Sequence, residues 1–139
     1  MAARETNYLT ESEIVELHER VIGQFGGMPG IRDRGALASC ASQPMTAVFG
    51  VERFPSVHEK AAAYCFFIIR LHPFFDGNKR AGLVAAIAFL IDHGVTPIFD
   101  ENEMFDLIIR VATGKAELDD LTVAFRRADC ADANPDDAH

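Results

Sequence analysis

Eleven consecutive residues, Ala81 to Ile91, are uncharged and apolar on every side of a helix of ordinary pitch. A helix that is apolar all round is stable in water only when other elements surround it. The segment therefore predicts a buried central helix that starts near Gly77, runs to Asp92 and stops at Gly94. It is too short to cross a bilayer, which takes about 20 apolar residues. We expect a soluble protein with no membrane partner, built around this helix.

Apolar residues at helical spacing also predict elements on both sides of the central helix. Thr10 with Glu13, and Ser56 with Glu59, form capping-box patterns that open two further helices. Residues 95–99 alone suggest a strand, and residues 49–55 suggest a loop or a small hairpin. The predicted fold is one compact all-α domain over residues 1–127, with other helices over residues 36–41, from residue 100 and over residues 118–125.

Composition narrows the possible functions. The net charge is −8, whereas a nucleic-acid partner requires clustered Lys and Arg, so none is expected. Residues 128–139 contain four Asp among Ala, Asn and Pro, which predicts an acidic, disordered tail.

Three cysteines without a C-x-x-C pair fit a reducing cytoplasm, with Cys40 and Cys65 packed as small apolar residues. No signal peptide is visible at the start, so we expect a cytoplasmic protein.

The residues that open the central helix are polar and glycine-rich, which an apolar helix does not need for its stability. Helix N-termini bind anions through unpaired N–H groups, and Gly77 would let a ligand approach the backbone closely. Asn78 can hydrogen-bond a phosphate oxygen, Lys79 adds a point charge, and Arg80 can form a bidentate contact. These four residues predict a binding site for a polyphosphate.

The loop before this helix supplies groups for chemistry. Asp76 can hold a Mg²⁺ ion that bridges phosphates, because Mg²⁺ usually takes one or two carboxylates plus substrate oxygens. His72 can take a proton from an attacking hydroxyl. Phe74, between polar residues, is predicted to anchor the loop in the core. Together these groups indicate a phosphoryl- or nucleotidyl-transferase.

Residues 72–80 read H-P-F-F-D-G-N-K-R and match the signature H-x-F-x-D-G-N-x-R of the Fic/Doc superfamily. The flanks at residues 26–37, at residues 59–62 and at Phe89-Leu90 resemble the death-on-curing (Doc) branch, and the match runs from about residue 9 to 126. The resemblance implies a compact helical domain with a buried central helix. It also implies that residues 48–55 form a flap that aligns the target protein, although a plain connecting loop is an equal alternative.

Two positions distinguish this sequence from the adenylylating Fic pattern G-N-G-R-x-x-R. Lys79 replaces the second Gly, and Leu83 replaces the second Arg. By resemblance, the chain is a toxin with ATP and Mg²⁺ as cofactors that transfers the γ-phosphate to a Thr or Ser of a target protein, elongation factor Tu, and so arrests translation. The resemblance also implies an antitoxin partner of the prevents-host-death type.

Several alternatives remain open on the sequence. The chain could be a protein adenylyltransferase, or a catalytically silent module that binds a partner helix. Arg32 and Asp33 are interpreted as an internal ion pair that orders the glycine-rich turn, rather than as substrate contacts. His93, beside Gly94, is interpreted as a cation at a helix C-terminus.

Overall fold

A computed structural model describes residues 5–129, and within this range the fold is helical apart from one small hairpin. The elements in chain order are α1 (Glu11–Phe25), α2 (Arg34–Ser42), a 3₁₀ turn (Gln43–Met45), β1 (Ala47–Val48), β2 (Val51–Glu52), α3 (Val57–Leu71), α4 (Asn78–Asp92), α5 (Glu101–Ala112) and α6 (Leu118–Ala128). The two strands pair antiparallel. The all-α prediction is confirmed.

Both predicted capping motifs lie at helix starts. Thr10 accepts a hydrogen bond from the backbone N–H of Glu13, and the Glu13 carboxylate accepts one from the N–H of Thr10. At α3, Ser56 accepts from the N–H of Glu59, but the Glu59 carboxylate accepts from the Ser56 hydroxyl instead of the backbone. Either arrangement satisfies N–H groups that a helix start leaves unpaired, which explains why the starts were predictable.

The central helix α4 is buried mainly along one side. Its inner positions have almost no exposed surface, whereas Ile91 is 57 % exposed, so the prediction of burial on every side is wrong for the last turn. Small residues allow α3 and α4 to pack closely: Gly82 faces Cys65 and Ile69 of α3. The fully buried inner positions of α4 are Ala81, Gly82, Ala85, Ala86, Phe89 and Leu90.

Replacing Gly82 with alanine tests this close packing. A Cβ there would lie 2.9 Å from the Cys65 carbonyl oxygen and 3.1 Å from Ile69, so the helices must separate. Such overpacking costs about 1 to 3 kcal/mol, against about 1 kcal/mol gained from the higher helix propensity of alanine. We expect Gly82→Ala to lower the free energy of unfolding by up to about 2 kcal/mol in urea titrations.

Gly23 in α1 provides the matched control for this substitution. A Cβ at Gly23 would meet nothing within 4 Å. Gly23→Ala should therefore benefit from the higher helix propensity of alanine without any clash, and raise the free energy of unfolding by about 0.5 to 1 kcal/mol. Equal effects of the two substitutions would contradict the tight α3–α4 contact.

Two predictions about extended segments need correction. Residues 95–99 form no strand, because Pro97 makes only an isolated bridge with Asp129. The predicted acidic tail starts at residue 128, yet Ala128 closes α6. Asp129 is 5 % exposed, and its carboxylate lies 2.7 Å from the His58 ring. The rest of the predicted tail lies outside the described residues.

Cys40 and Cys65 are fully buried in the core, as predicted for small apolar residues. Burial raises the pKa of the Cys40 thiol to about 12, and it raises the pKa of Cys65 as well. Both thiols therefore stay protonated and unreactive at neutral pH. No helix between residues 5 and 129 has the length and apolar character that a membrane span requires.

The hairpin of β1 and β2 settles the choice between loop and hairpin for this segment. Its turn consists of Phe49 and Gly50, both with positive φ (51° and 77°), which is the backbone of a tight two-residue hairpin turn. Lys60 of α3, 2 % exposed, fixes the base of the hairpin by donating to the Glu52 carboxylate at 3.1 Å and to the Phe54 carbonyl. The tip is open, since Phe49 is fully exposed.

Candidate functional site

The signature residues lie in the six-residue connection between α3 and α4 and in the first turn of α4. His72 ends α3 in the left-handed conformation, with φ 56° and ψ 56°, which is uncommon for a residue other than glycine. Arg32 holds this end of the helix: its guanidinium donates to the carbonyls of His72 (2.7 Å) and Leu71 (3.0 Å). The His72 side chain is exposed at the start of the connection, called the signature loop below (residues 72–77).

Asn78 is buried and folds the signature loop back on itself. Its Oδ1 accepts from the N–H of Phe74 (3.0 Å), and its Nδ2 donates to the carbonyl of Phe74 (2.9 Å). Only 4 % of Asn78 is exposed. The sequence assigned this side chain to a phosphate oxygen. In the structure its hydrogen-bonding groups are already used inside the loop, so we assign Asn78 a positioning role.

The third hydrogen bond of Asn78 orients the His72 ring. Nδ2 of Asn78 lies 3.1 Å from Nδ1 of His72. The two contacts to Phe74 decide which side of the amide is nitrogen, because a backbone N–H must meet the oxygen and a carbonyl must meet the NH₂ group. Nδ1 of His72 is therefore the acceptor, and a neutral ring in this arrangement has its proton on Nε2.

Asp76 lies next to the glycine-rich segment that follows α1. Its Oδ2 accepts from the N–H of Met28 at 2.7 Å, and the Asp76 side chain is exposed. Gly27 has φ 118°, and a Cβ there would lie 3.2 Å from the Cβ of Asp76, so the close contact requires glycine at this position. The second carboxylate oxygen has no hydrogen bond within residues 5–129 and is available for a cation.

The start of α4 has no side-chain cap, whereas Thr10, Asp33, Ser56 and Asp100 cap the helices that they precede. Within the described part of the chain, the N–H groups of residues 77–80 have no hydrogen-bond acceptor. A left-handed Gly77 (φ 76°, ψ 15°) followed by right-handed Asn78 forms a concave row of N–H groups. Such a row, at the positive end of a helix, binds anions.

The structure gives a different reason for glycine at position 77 from the one that the sequence suggested. A Cβ there would point towards α1, 3.3 Å from Ile22 Cδ1 and 3.5 Å from Val21 Cγ1. The glycine therefore serves the positive φ and the contact with α1, rather than space for a ligand.

Two exposed cations flank the row of N–H groups. Lys79 is exposed and forms no hydrogen bond or ion pair among the described residues. Arg80 lies over the ring of Phe25 at the end of α1, with its Cζ 4.3 Å from the ring centroid. Stacking on a face leaves the N–H edge of a guanidinium available for a bidentate contact. Both residues therefore suit the predicted contact with phosphate.

The carboxylate of Asp76 fits a metal ion only if the substrate supplies most of the ligands. No group of three or more His, Cys, Asp or Glu side chains within residues 5–129 has the geometry of a metal site. Mg²⁺ bound to a nucleotide needs only one or two protein carboxylates. The arrangement is therefore compatible with Mg²⁺ that arrives with phosphates.

The predicted anchor role of Phe74 is confirmed, since its side chain is 0 % exposed. The ring of His18, from α1, stacks on Phe74 with centroids 3.7 Å apart and planes 3° apart. The same ring approaches the other end of the signature loop, with Nε2 2.7 Å from the Asp76 carbonyl oxygen. α1 thus holds the loop at two points through one side chain.

The segment after Gly30 runs antiparallel to the signature loop. The N–H groups of Arg32 (2.7 Å) and Asp33 (3.1 Å) donate to the Pro73 carbonyl, and the Phe75 N–H donates to the Gly30 carbonyl at 3.3 Å. Asp33 also caps α2 through the N–H of Ala36. The predicted scaffold role of Arg32 and Asp33 is correct, but each acts on the backbone and they form no ion pair with one another.

His93 lies at the opposite end of α4, and its predicted role as a cation is wrong. Its Nδ1 is 2.8 Å from the Phe89 carbonyl, and its Nε2 accepts from the N–H of Asn7 at 2.9 Å. One ring nitrogen thus donates while the other accepts, which is the pattern of a neutral imidazole.

Two cavities of the described domain lie away from the row of N–H groups. A cavity of about 600 Å³ opens between α5 and α6 and shares no residue with the signature loop. A smaller cavity of about 250 Å³ lies behind the loop and is lined by His18 and Phe74 among others. His72, Asp76, Lys79 and Arg80 are all exposed, so the candidate site is open to solvent.

Three residues of the site were missed in the sequence analysis: His18, Phe25 and Met28. His18 had a detectable signal, because it stands four residues after Ile14 and three before Val21 on the apolar stripe of α1. A polar residue on such a stripe is buried and needs a partner. The contacts of Phe25 and Met28 depend on tertiary structure and had no signal.

The sequence of this chain, including the signature loop, is similar to those of known proteins. The model of the Fic/DOC family matches residues 8–90. The chain is 32 % identical over 120 residues to the "Protein kinase doc" of Escherichia phage P1, a match that covers 86 % of this chain and 94 % of that protein. It is 38 % identical over 99 residues to the "Toxin Doc" of Mycolicibacterium smegmatis, covering 70 % and 76 %.

Proposed function

The chain belongs to the Fic/DOC family, and from this premise we propose that it is a Doc-type toxin that acts as a protein kinase on a Thr or Ser hydroxyl. The observation that supports the proposal best is the start of α4. Four backbone N–H groups that have no acceptor within residues 5–129 lie there beside exposed Lys79 and Arg80. Such a surface suits the phosphates of ATP.

The proposed reaction is transfer of the γ-phosphoryl group. The hydroxyl oxygen of the target attacks the γ-phosphorus, the bond from that phosphorus to the bridging oxygen breaks, and ADP leaves. The backbone N–H groups of residues 77–80 and the side chains of Lys79 and Arg80 would hold the phosphates, and Asp76 would hold Mg²⁺ through its second carboxylate oxygen. The metal would neutralise charge on the phosphates.

His72 is the proposed general base, which takes the hydroxyl proton of the target on Nε2. In the arrangement of this structure the neutral ring has its proton on Nε2 and accepts from Asn78 on Nδ1. Base action at Nε2 therefore requires the ring to give up this contact and carry its proton on Nδ1. Such adjustments on substrate binding are common at catalytic hydrogen bonds.

The hairpin is the proposed flap for the target segment. Its strands pair only with each other among the described residues, so their outer edges are open to a further strand.

By family resemblance, the target is elongation factor Tu, and an antitoxin of the prevents-host-death type is the proposed partner. One relative is itself named a toxin, which supports this context.

The experiment that tests the reaction uses ATP labelled at either the α- or the γ-phosphate. The protein, Mg²⁺ and elongation factor Tu are incubated with each nucleotide, and label on the target is measured. We expect label from the γ-position only. Label from the α-position would instead favour adenylyl transfer, in which the α-phosphorus is attacked and pyrophosphate leaves. No label from either position, with toxicity retained in the His72→Asn variant, would favour a silent binding module.

Lys79→Gly tests the basis for choosing phosphoryl over adenylyl transfer. Lys79 adds a side chain and a charge where the adenylylating pattern has bare backbone, so the triphosphate should bind in a different position. We expect Lys79→Gly to lower γ-label transfer by about tenfold or more and to raise the share of α-label. An unchanged ratio of the two labels would mean that Lys79 does not select the product.

A further inference from the structure

His18 is a buried residue that the proposed chemistry does not use. It is 2 % exposed on the inner face of α1, outside the signature loop. We infer that His18 is a positioning residue that aims the backbone N–H of Gly77 towards the nucleotide phosphates. This inference rests on the proposed function and extends it to α1.

The orientation of the His18 ring is fixed in two ways. The ring stacks on fully buried Phe74, with planes 3° apart, so it cannot tilt without losing that contact. Its Nε2 lies 2.7 Å from the Asp76 carbonyl oxygen, and a carbonyl oxygen can only accept. The ring therefore has its proton on Nε2 and donates a hydrogen bond to the backbone carbonyl oxygen of Asp76.

The hydrogen bond acts on one peptide group, because Asp76 C=O and Gly77 N–H belong to the same plane. In a trans peptide these two bonds point in opposite directions. His18 draws the carbonyl towards α1, so the Gly77 N–H must point away from α1. This N–H has no acceptor among the described residues, as expected for a donor that faces outwards.

α1 holds the same peptide from a second direction. The Cα of Gly77 packs so closely on α1 that a Cβ would lie 3.3 Å from Ile22 and 3.6 Å from Nε2 of His18. The carbonyl and the Cα are thus both fixed against one helix. A rotation of the peptide plane would break the hydrogen bond, and it would also disturb the first donor in the row of N–H groups.

A purely structural His18 would stabilise the loop without affecting nucleotide affinity, and two substitutions separate these roles. His18→Phe keeps an aromatic ring for the stack on Phe74 but removes the donor. His18→Gln loses the stack, yet its Nε2 can occupy the position of the histidine Nε2 and donate to Asp76. The inference predicts weaker nucleotide binding for His18→Phe and rescue by His18→Gln.

His93→Phe is the matched control at the other end of α4. The His93 ring lies 4.1 Å from the Phe89 ring and contacts the Phe89 carbonyl, so the substitution removes the same type of bond. It is far along the helix from residues 77–80. We expect lower stability in this variant with unchanged nucleotide affinity.

The affinity of each variant for a non-hydrolysable ATP analogue with Mg²⁺ is measured by calorimetry, with thermal melting as a check on folding. We expect His18→Phe to raise Kd by about tenfold, the order that loss of one aligned donor to a charged group gives. Equal Kd values for wild type and His18→Phe would overturn the inference alone. Absence of binding by the wild type would overturn the proposed function, and the inference with it.

A measurement on the wild type needs no variant to fold. Long-range ¹⁵N–¹H correlation spectra report which imidazole nitrogen has the proton. We expect the Nε2–H form for His18, together with a shift of the Gly77 amide signal when the analogue is added. A proton on Nδ1 instead, or a Gly77 signal that does not respond to bound analogue, would contradict the inference.

Discussion

His72→Asn should lower the rate of γ-phosphoryl transfer by about 10²- to 10⁴-fold, the usual contribution of a general base. Asparagine is the appropriate substitution because His72 is left-handed (φ 56°), a conformation that asparagine tolerates and that costs alanine about 1 to 2 kcal/mol. Loss of activity in His72→Asn can therefore be attributed to the imidazole rather than to the backbone. Label transfer to the target and growth arrest in cells measure the effect.

His72→Gly separates the two roles of this position further. Glycine relieves the backbone strain while removing the side chain, so we expect an inactive protein whose thermal stability is not reduced. If either variant kept more than about a tenth of wild-type transfer, His72 would not be the base, since general acid–base groups contribute at least a hundredfold.

Asn78→Ala should destabilise the domain by about 2 to 4 kcal/mol, although residue 78 begins a helix and alanine is a good helix former. Its side chain satisfies the buried N–H and C=O of Phe74, and a buried polar group left without a partner costs about 1 to 3 kcal/mol. Because these two bonds hold the signature loop in its fold, their loss should also shift His72 relative to the bound nucleotide. We expect kcat to fall more than the affinity for nucleotide.

Lys79→Ala is the control at the neighbouring position. Lys79 is exposed and has no partner among residues 5–129, so its loss should change the free energy of unfolding by less than about 0.5 kcal/mol while weakening nucleotide binding. Urea titration and calorimetry of both variants distinguish the two residues. If Asn78→Ala were as stable as wild type and only bound nucleotide less well, the phosphate contact suggested by the sequence would be correct.

The side chains at positions 78 and 79 have different environments, and a sequence pattern does not predict this difference. Both side chains are polar, both follow Gly77, and both can bind phosphate. Their directions differ because successive helix residues are 100° apart, so Asn78 turns into the loop while Lys79 faces solvent. Sequence alone gives no means of deciding which of the two faces inwards when the preceding loop has no regular structure.

The sequence predicts that His18 is buried but not which group it contacts. Its place on the apolar stripe of α1 indicates burial, and a buried imidazole needs a partner. The partner itself, the Asp76 carbonyl, is 58 positions away. No local pattern identifies a backbone group at that distance, so the role of the residue required the fold.

The sequence by itself determined the helices and the place of the site. Helix starts follow from local capping bonds between residues three apart, and burial of α4 follows from its apolar composition. The nine-residue signature indicated the helix end that we propose to bind phosphate, and it lies within residues 8–90, which the family model matches. These properties depend on neighbouring residues, which is why a pattern is sufficient to predict them.

The tertiary structure alone decided how the start of α4 is held. Glycine at position 77 serves contact with α1, Asn78 closes the loop, and Arg80 rests on Phe25. Each of these contacts joins groups whose direction depends on backbone angles in an irregular connection. Side-chain direction there is fixed by packing between distant elements, and the sequence does not encode that locally.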